Sequence, residues 1–331
     1  MNPRSIAASC AAVLAMALLG VAGAMALGNG GPPIVRGRAG QGDLLARLPD
    51  HRALQFRCRG RGSPTVILES GFGAGAEAWS KVQPLIAKVT RVCAYSRAGY
   101  GLSDPGPMPR DGEAIARDLD FGLRAARIGG PYVVVGHSAG GLYARLFAAR
   151  RRRDVVGLVF VDTSVEHQSR RIAALFGPGS GILEGVRRRP ARCLEATLNP
   201  RTPASEAALL ECAPASLDPR ARRAALRPET WRTQVSELDT LFTITSDEVD
   251  LIGPLLQDVP AIVLTAAKGD GLAATQDDPG ALAWQLFHRA LAASFRSGQQ
   301  RLVKSSHLMM IDRPQAVADA ALELVRKARG P

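Results

Sequence analysis

The order in which strand-like and helix-like segments follow one another constrains this chain most. Runs of strand character occur at Ala53 to Cys58, Thr65 to Glu69, Arg91 to Tyr95, Tyr132 to Val135, Gly157 to Val161, Ala261 to Thr265 and Arg301 to Lys304. Helix-like stretches such as Gly112 to Arg127 and Leu142 to Arg150 lie between most of them. Parallel strands need a crossover between them, so this alternation selects an α/β fold with a mostly parallel sheet. It breaks once. From about Glu166 to Gln257 there is no run of strand character, only prolines, arginines and amphipathic pieces, the clearest with Trp231, Val235, Leu238 and Phe242 at helical spacing. This stretch reads as a helical insertion whose apolar stripe packs mainly on the core, with a few residues facing a pocket. At 331 residues, with 46% hydrophobic and 22% charged content, the chain is long and apolar enough to bury a large core, which excludes a disordered protein.

The strand Tyr132 to Val135 runs directly into Gly136-His-Ser-Ala-Gly-Gly-Leu142. A serine hydroxyl is a poor nucleophile at neutral pH; acyl transfer needs a base in reach, a group that orients the base, and donors for the oxyanion. Ser138 stands between a strand and a helix start, and the glycines at 136 and 140 make room for the tight turn that a β-carbon would obstruct. Ser138 is therefore the candidate nucleophile, and His137 beside it a structural residue. Upstream, Glu69-Ser-Gly-Phe-Gly-Ala-Gly75 follows another strand and leaves backbone N–H groups free. The N–H groups of Phe72 and Ala139 are the candidate oxyanion donors. Ser305-Ser-His307 follows the last strand, so His307 reaches the same end of the sheet and is the candidate base; His51, His167 and His288 lack that position.

The N-terminus reads differently. After Arg4 the run from Ile6 to Leu27 carries no charge and ends in Ala24-Met25-Ala26, which suits signal peptidase, so residues 1–26 are expected to be an export signal. The run is also long enough to span a bilayer, which leaves an uncleaved membrane anchor as the alternative. Residues 27–42, rich in glycine, read as a flexible linker. The formal charge of +12 is mostly arginine scattered along the chain, densest at Arg150 to Arg153, where it marks a solvated helix end. No nucleic-acid motif accompanies it; an arginine-rich source genome is the leading reading of this charge, and attraction to an anionic envelope surface is the sharper alternative. Cys58, Cys93, Cys193 and Cys212 remain after export, an even number in an oxidising compartment, and none has zinc-ligand spacing. No cofactor is implied.

Taken together, "SGFGAG", "YSRAGYGLSD", "GHSAGG", "GLVFVD" and "SSHLMMIDRP" resemble the α/β-hydrolase superfamily, in the branch named after pimeloyl carrier-protein methyl ester carboxylesterase, from about Arg52 to the C-terminus. The resemblance implies an α/β-hydrolase fold: an eight-stranded, mostly parallel sheet with a helical cap between strands six and seven. The core would then be 43–165 and 258–331, and the cap 166–257. It implies a serine hydrolase acting on small carboxylic esters, with peptidase, lactonase and cofactor-free haloperoxidase as rival reactions and a non-catalytic binding module as the rival from another class. Epoxide hydrolase and dehalogenase chemistry need a carboxylate where Ser138 stands.

The resemblance leaves the catalytic acid open between two residues. Asp270, shortly after the strand Ala261 to Thr265, has the commoner placement; Asp162, at the end of Gly157 to Val161, has that of a minority. Asp277 and Asp278 lie further along. In this fold the second strand runs antiparallel beside the fourth, which would bring Cys58 to Cys93, leaving Cys193 and Cys212 to pair within the cap. Two departures stand out: Ser70 where the family often has histidine, and Ser96 where it commonly has aspartate.

Overall fold

The computed structural model describes residues 43–178, 183–200, 202–267 and 279–330. The expected signal segment, the linker and Asp270 lie outside the described residues. The strands are β1 (Asp43–Arg47), β2 (Ala53–Arg59), β3 (Thr65–Glu69), β4 (Val92–Ser96), β5 (Tyr132–His137), β6 (Val155–Val161), β7 (Ala261–Ala266) and β8 (Gly298–Val303). They form one eight-stranded sheet in the order β1-β2-β4-β3-β5-β6-β7-β8. Every neighbouring pair is parallel except β1 with β2 and β2 with β4, so β2 alone runs against the rest. In that antiparallel ladder Cys58 lies directly opposite Cys93, and the two are joined by a disulfide.

The two edge strands differ from the sequence reading. β1 (DLLAR) was not among the strand-like runs, and β8 starts three residues before Arg301. Both sit at sheet margins, where GQQRLV stays partly exposed and carries little of the apolar signal that marks a central strand.

The central strands are buried on both faces and read as continuous apolar runs for that reason. Alternate residues divide between two cores. Ile67, Val134, Phe160 and Val263 face one of them, and Val66, Val133, Val159 and Ile262 face the other. The short helix α1 (Gln83–Ile86) is followed by α2 (Gly112–Ala125), which Asp111 caps by accepting the Ala114 N–H at 2.8 Å. Along with α3 (Gly140–Arg150), α2 covers the first face.

Between β6 and β7 lie α4 (Gln168–Phe176), α5 (Leu183–Leu198), α6 (Pro203–Cys212), α7 (Pro219–Ala225), α8 (Pro228–Leu241) and α9 (Ile244–Ile252). Cys193 of α5 is bonded to Cys212 of α6, and with Ala225 and Trp231 they make a small separate core. After β7 come α10 (Pro279–Ala293), then, beyond β8, α11 (Met309–Asp312) and α12 (Pro314–Arg329), which packs on the second face. No helix among the described residues is long and apolar enough to cross a membrane.

Candidate active site

In a parallel sheet the loops that leave the C-terminal ends of the strands share one rim, and side chains from distant positions meet there. Ser138 leaves β5 at that rim with φ +51, a left-handed conformation that a non-glycine residue adopts only when its surroundings enforce it. They do so here. A β-carbon at Gly136 would lie 2.6 Å from the Gly140 carbonyl oxygen, and one at Gly140 would lie 2.6 Å from the carbonyl oxygens of Glu69 and Ser70. The Ser138 N–H donates to the Val161 carbonyl (3.2 Å), and the Ser138 carbonyl accepts from Ser164 N–H (2.9 Å) and the Thr163 hydroxyl (3.0 Å). Ser138 is partly buried, and its hydroxyl has no hydrogen-bond partner among the described residues.

His307 follows β8, and its Nδ1–H donates to Asp162 Oδ2 at 2.7 Å. Asp162 directly follows β6 in another left-handed conformation, φ +42, and is almost fully buried. Its second oxygen, Oδ1, accepts from the Ala266 N–H and from the Trp284 indole N–H of α10, each at 2.9 Å. Burial works against its charge, but the hydrogen bond from His307 and the neighbouring His288 hold the carboxyl below its ordinary range. With Nδ1 committed to Asp162, the other nitrogen of His307 is the one free to take a proton.

His137 packs against His307 with ring centroids 4.7 Å apart, and its Nε2–H donates to the His307 carbonyl at 2.9 Å. Burial first, and the closeness of His307 second, lower the His137 imidazole to about 3, so it stays neutral. His288 is buried behind Asp162, donating through Nε2 to the Thr163 carbonyl at 2.8 Å. Of the two aspartates left open by the sequence, Asp162 is hydrogen-bonded to His307.

The Ser70–Gly75 loop lies against His137 and Ser138. A β-carbon at Gly71 would sit 2.9 Å from Ser138 Cβ. Ser70 Oγ donates to the Gly75 carbonyl (2.8 Å) and accepts from the Trp79 indole N–H (2.9 Å), which is what a serine does at this departure from the family pattern. Ser96 likewise accepts from the Ala76 N–H (3.1 Å) and donates to Gln55 Oε1 (2.9 Å). The backbone N–H groups of Phe72 and Ala139 have no partner among the described residues.

Residues that the sequence reading assigned no role complete the surroundings. Arg97, from the quoted "YSRAGYGLSD", is fully buried and joins Glu69 (2.7 Å) to Glu237 of α8 (2.9 Å). Its presence in a motif was the available signal. Glu237 gave none, since an acid on an amphipathic helix normally faces water.

A cleft of about 380 Å³ opens between the Gly73–Gly75 part of this loop and the helices after β6, lined among others by Tyr100, Arg189, Leu217 and Trp231. A larger groove of about 580 Å³, lined by Arg124, Arg127, Arg151 and Arg153, lies at the opposite ends of the strands and is remote from Ser138. Among the described residues no group of His, Cys, Asp or Glu side chains is arranged to hold a metal ion.

Residues 66–320 match the alpha/beta hydrolase family, and the chain belongs to that family. An AB hydrolase superfamily protein of Gibberella zeae is 34% identical over 107 residues, 31% of this chain and 33% of that protein. YqjL of Bacillus subtilis, an uncharacterized protein, is 29% identical over 107 residues, 32% of this chain and 42% of that protein. The matched segments span less than half the length of these curated relatives. Among solved structures, a thermophilic esterase from Thermogutta terrifontis superposes with a TM-score of 0.57 at 23% identity, covering 86% of this chain and 98% of that one. Cfl2 from Burkholderia cenocepacia does so with 0.56 at 20% identity, covering 86% and 96%.

Proposed function

We propose that this chain is a serine hydrolase that cleaves small, uncharged carboxylic esters through an acyl-enzyme intermediate, and that it acts after export. The observation that carries the reading is the 2.7 Å hydrogen bond from His307 Nδ1 to buried Asp162 at the rim where Ser138 is held at φ +51. Ser138 Oγ attacks the acyl carbon while its proton passes to His307 Nε2. Asp162 keeps His307 in the tautomer that can accept that proton and stabilises the imidazolium that results. The oxyanion is taken by the free N–H groups of Phe72 and Ala139. As the tetrahedral intermediate collapses, His307 returns the proton to the departing alcohol. Water then attacks the acyl carbon, giving its proton to His307; as the second tetrahedral intermediate collapses, the bond to Ser138 Oγ breaks, His307 returns the proton to that oxygen, and the carboxylic acid leaves with Ser138 and His307 restored.

The family match supports a hydrolase, and the esterase among the structural neighbours shares the fold. Two disulfides support an oxidising compartment, in keeping with the uncharged N-terminal run. The test is fluorophosphonate labelling followed by peptide mass mapping. A single adduct on Ser138, absent in Ser138→Ala, is expected, together with turnover of short- and medium-chain chromogenic esters. Folded protein that takes no label, or activity confined to peptides or long lipids, would overturn the reading.

A further inference from the structure

The guanidinium of Arg97 is 2% exposed and lies between the rings of Tyr100 and Tyr143, 4.9 and 5.2 Å from their centroids. Burial disfavours its charge, but Glu237 and Glu69 more than compensate and keep it protonated. Its donors divide between carboxylates and backbone. Nη1 donates to Glu69 Oε1 (2.7 Å) and to the Ser70 carbonyl (2.6 Å). Nη2 donates to Glu237 Oε1 (2.9 Å) and to the Gly71 carbonyl (2.8 Å).

That last contact matters because the Gly71 carbonyl and the Phe72 N–H belong to one planar trans peptide, so fixing the oxygen fixes the direction of the N–H on the other side. A cation on the carbonyl also polarises the amide and makes its N–H a better donor. Beyond Phe72, the Gly73 N–H donates to Tyr100 Oη at 3.4 Å, and the Phe72 ring meets the Tyr100 ring edge-on at 6.4 Å. The peptide that presents the Phe72 N–H is therefore held from both sides, while the N–H itself is left free.

Glu237 comes from the other part of the molecule. It lies on α8, accepts from the same Nη2 that grips Gly71, and receives the Tyr143 hydroxyl at 3.3 Å. α8 is also fastened to the segment after β4. Gln234 Nε2 donates to the Gly99 carbonyl (2.8 Å), Ser236 Oγ accepts from Arg110 N–H (3.0 Å), and Thr240 Oγ1 donates to the Arg110 carbonyl (2.9 Å). Two buried carboxylates on one guanidinium are a costly way to fill space, since apolar residues of similar volume usually do that as well or better.

We propose that Arg97 and Glu237 are positioning residues for the oxyanion donor: Arg97 aims the Phe72 N–H through the Gly71 peptide, and Glu237 aims Arg97, so the helical insertion sets the oxyanion site from a distance. This rests on the ester-hydrolase reading above. The test compares Glu237→Gln, Tyr143→Phe and, as a control on the exposed start of the same helix, Glu229→Gln. Each is assayed for kcat and KM on a chromogenic ester and for affinity to a trifluoromethyl ketone, whose tetrahedral adduct with Ser138 carries an oxyanion.

A misaimed oxyanion donor costs transition-state binding alone, so Glu237→Gln is expected to lower kcat roughly 10- to 100-fold, with KM within about twofold and ketone affinity falling by the same factor as kcat. Tyr143→Phe keeps both charges and is expected to show the same pattern at several-fold; it decides the matter if Glu237→Gln does not fold. Unchanged kcat, a rise in KM alone, or a loss of kcat without loss of ketone affinity overturns the proposal. Wild-type protein that labels at Ser138 while the variants stay normal overturns this inference only; wild-type protein that does not label overturns the function with it.

Discussion

Asp162 has two carboxylate oxygens and gives them different work. Oδ1 is held by a backbone N–H and an indole N–H, and Oδ2 is left to His307. The side chain is thereby fixed before any proton moves. Changing Asp162 to Asn keeps the shape but puts an amide N–H where an acceptor is needed, or turns His307 to its other tautomer. We expect a loss on the order of 10⁴ in kcat, the size that an orienting acid contributes to a triad. Asp270→Asn is expected to stay within a few-fold of wild type. Steady-state kinetics on both folded variants checks this, and near-normal turnover in Asp162→Asn would remove Asp162 from the mechanism. The tight turn at Ser138 was legible in the sequence because it is built from neighbouring glycines, a local signal. It could not choose between the aspartates, because reach to His307 depends on a left-handed φ at Asp162 and on Trp284, which lies 122 residues away.

At the scale of elements, the parallel strands were legible because burial on both faces makes them uniformly apolar, while β1 and β8 sit at margins and carry mixed sequences. α8 shows the converse limit. Its stripe of Trp231 and Leu238 was visible, but Thr233, Gln234, Glu237 and Thr240 are buried as well, because this helix docks on a loop through polar contacts and not through apolar packing alone. Periodicity has no signal for that. The neighbouring α5 and α6 depend instead on the Cys193–Cys212 bond, which closes a loop with a sequence separation of 19, and on the small core around it. Replacing both cysteines with serine is expected to cost about 3 kcal/mol in the chain-entropy model. The loss is expected to appear as faster amide exchange in α5 and α6, with β5 and α3 unchanged. Exchange that stays at wild-type rates in α5 and α6 would show that the helices there hold without the bond.

For the molecule as a whole, the same burial that builds the site sets how stability responds to acid. His137 is held at about 3 in the folded chain against an ordinary value of 6.5, so below pH 6.5 the unfolded chain binds a proton that the folded chain refuses. Stability from this residue is present above pH 6.5 and drains away as pH falls towards 3. His288, also lowered by burial, acts in the same direction. Glu69 acts in the opposite one. Burial raises it to about 6 from 4.5 despite Arg97 and Tyr95, so the folded chain takes up its proton first, and stability is recovered as pH falls from about 6 to 4.5. Glu248, raised to about 7 by burial and by Asp111, adds to that recovery, less strongly because it is only half buried. The opposing groups overlap between pH 6 and 4.5, and the wild-type curve is expected to be shallow there and to steepen below 4.5, where only losses remain. Subtraction isolates His137. In denaturant unfolding at pH 6.5 and 4.5, His137→Gln is expected to gain about 2 kcal/mol relative to wild type on going to the lower pH, because one proton per molecule no longer favours the unfolded chain. A difference between the two proteins that does not change with pH would mean that His137 is protonated in the folded state, and that its ring beside His307 is not the neutral donor described here.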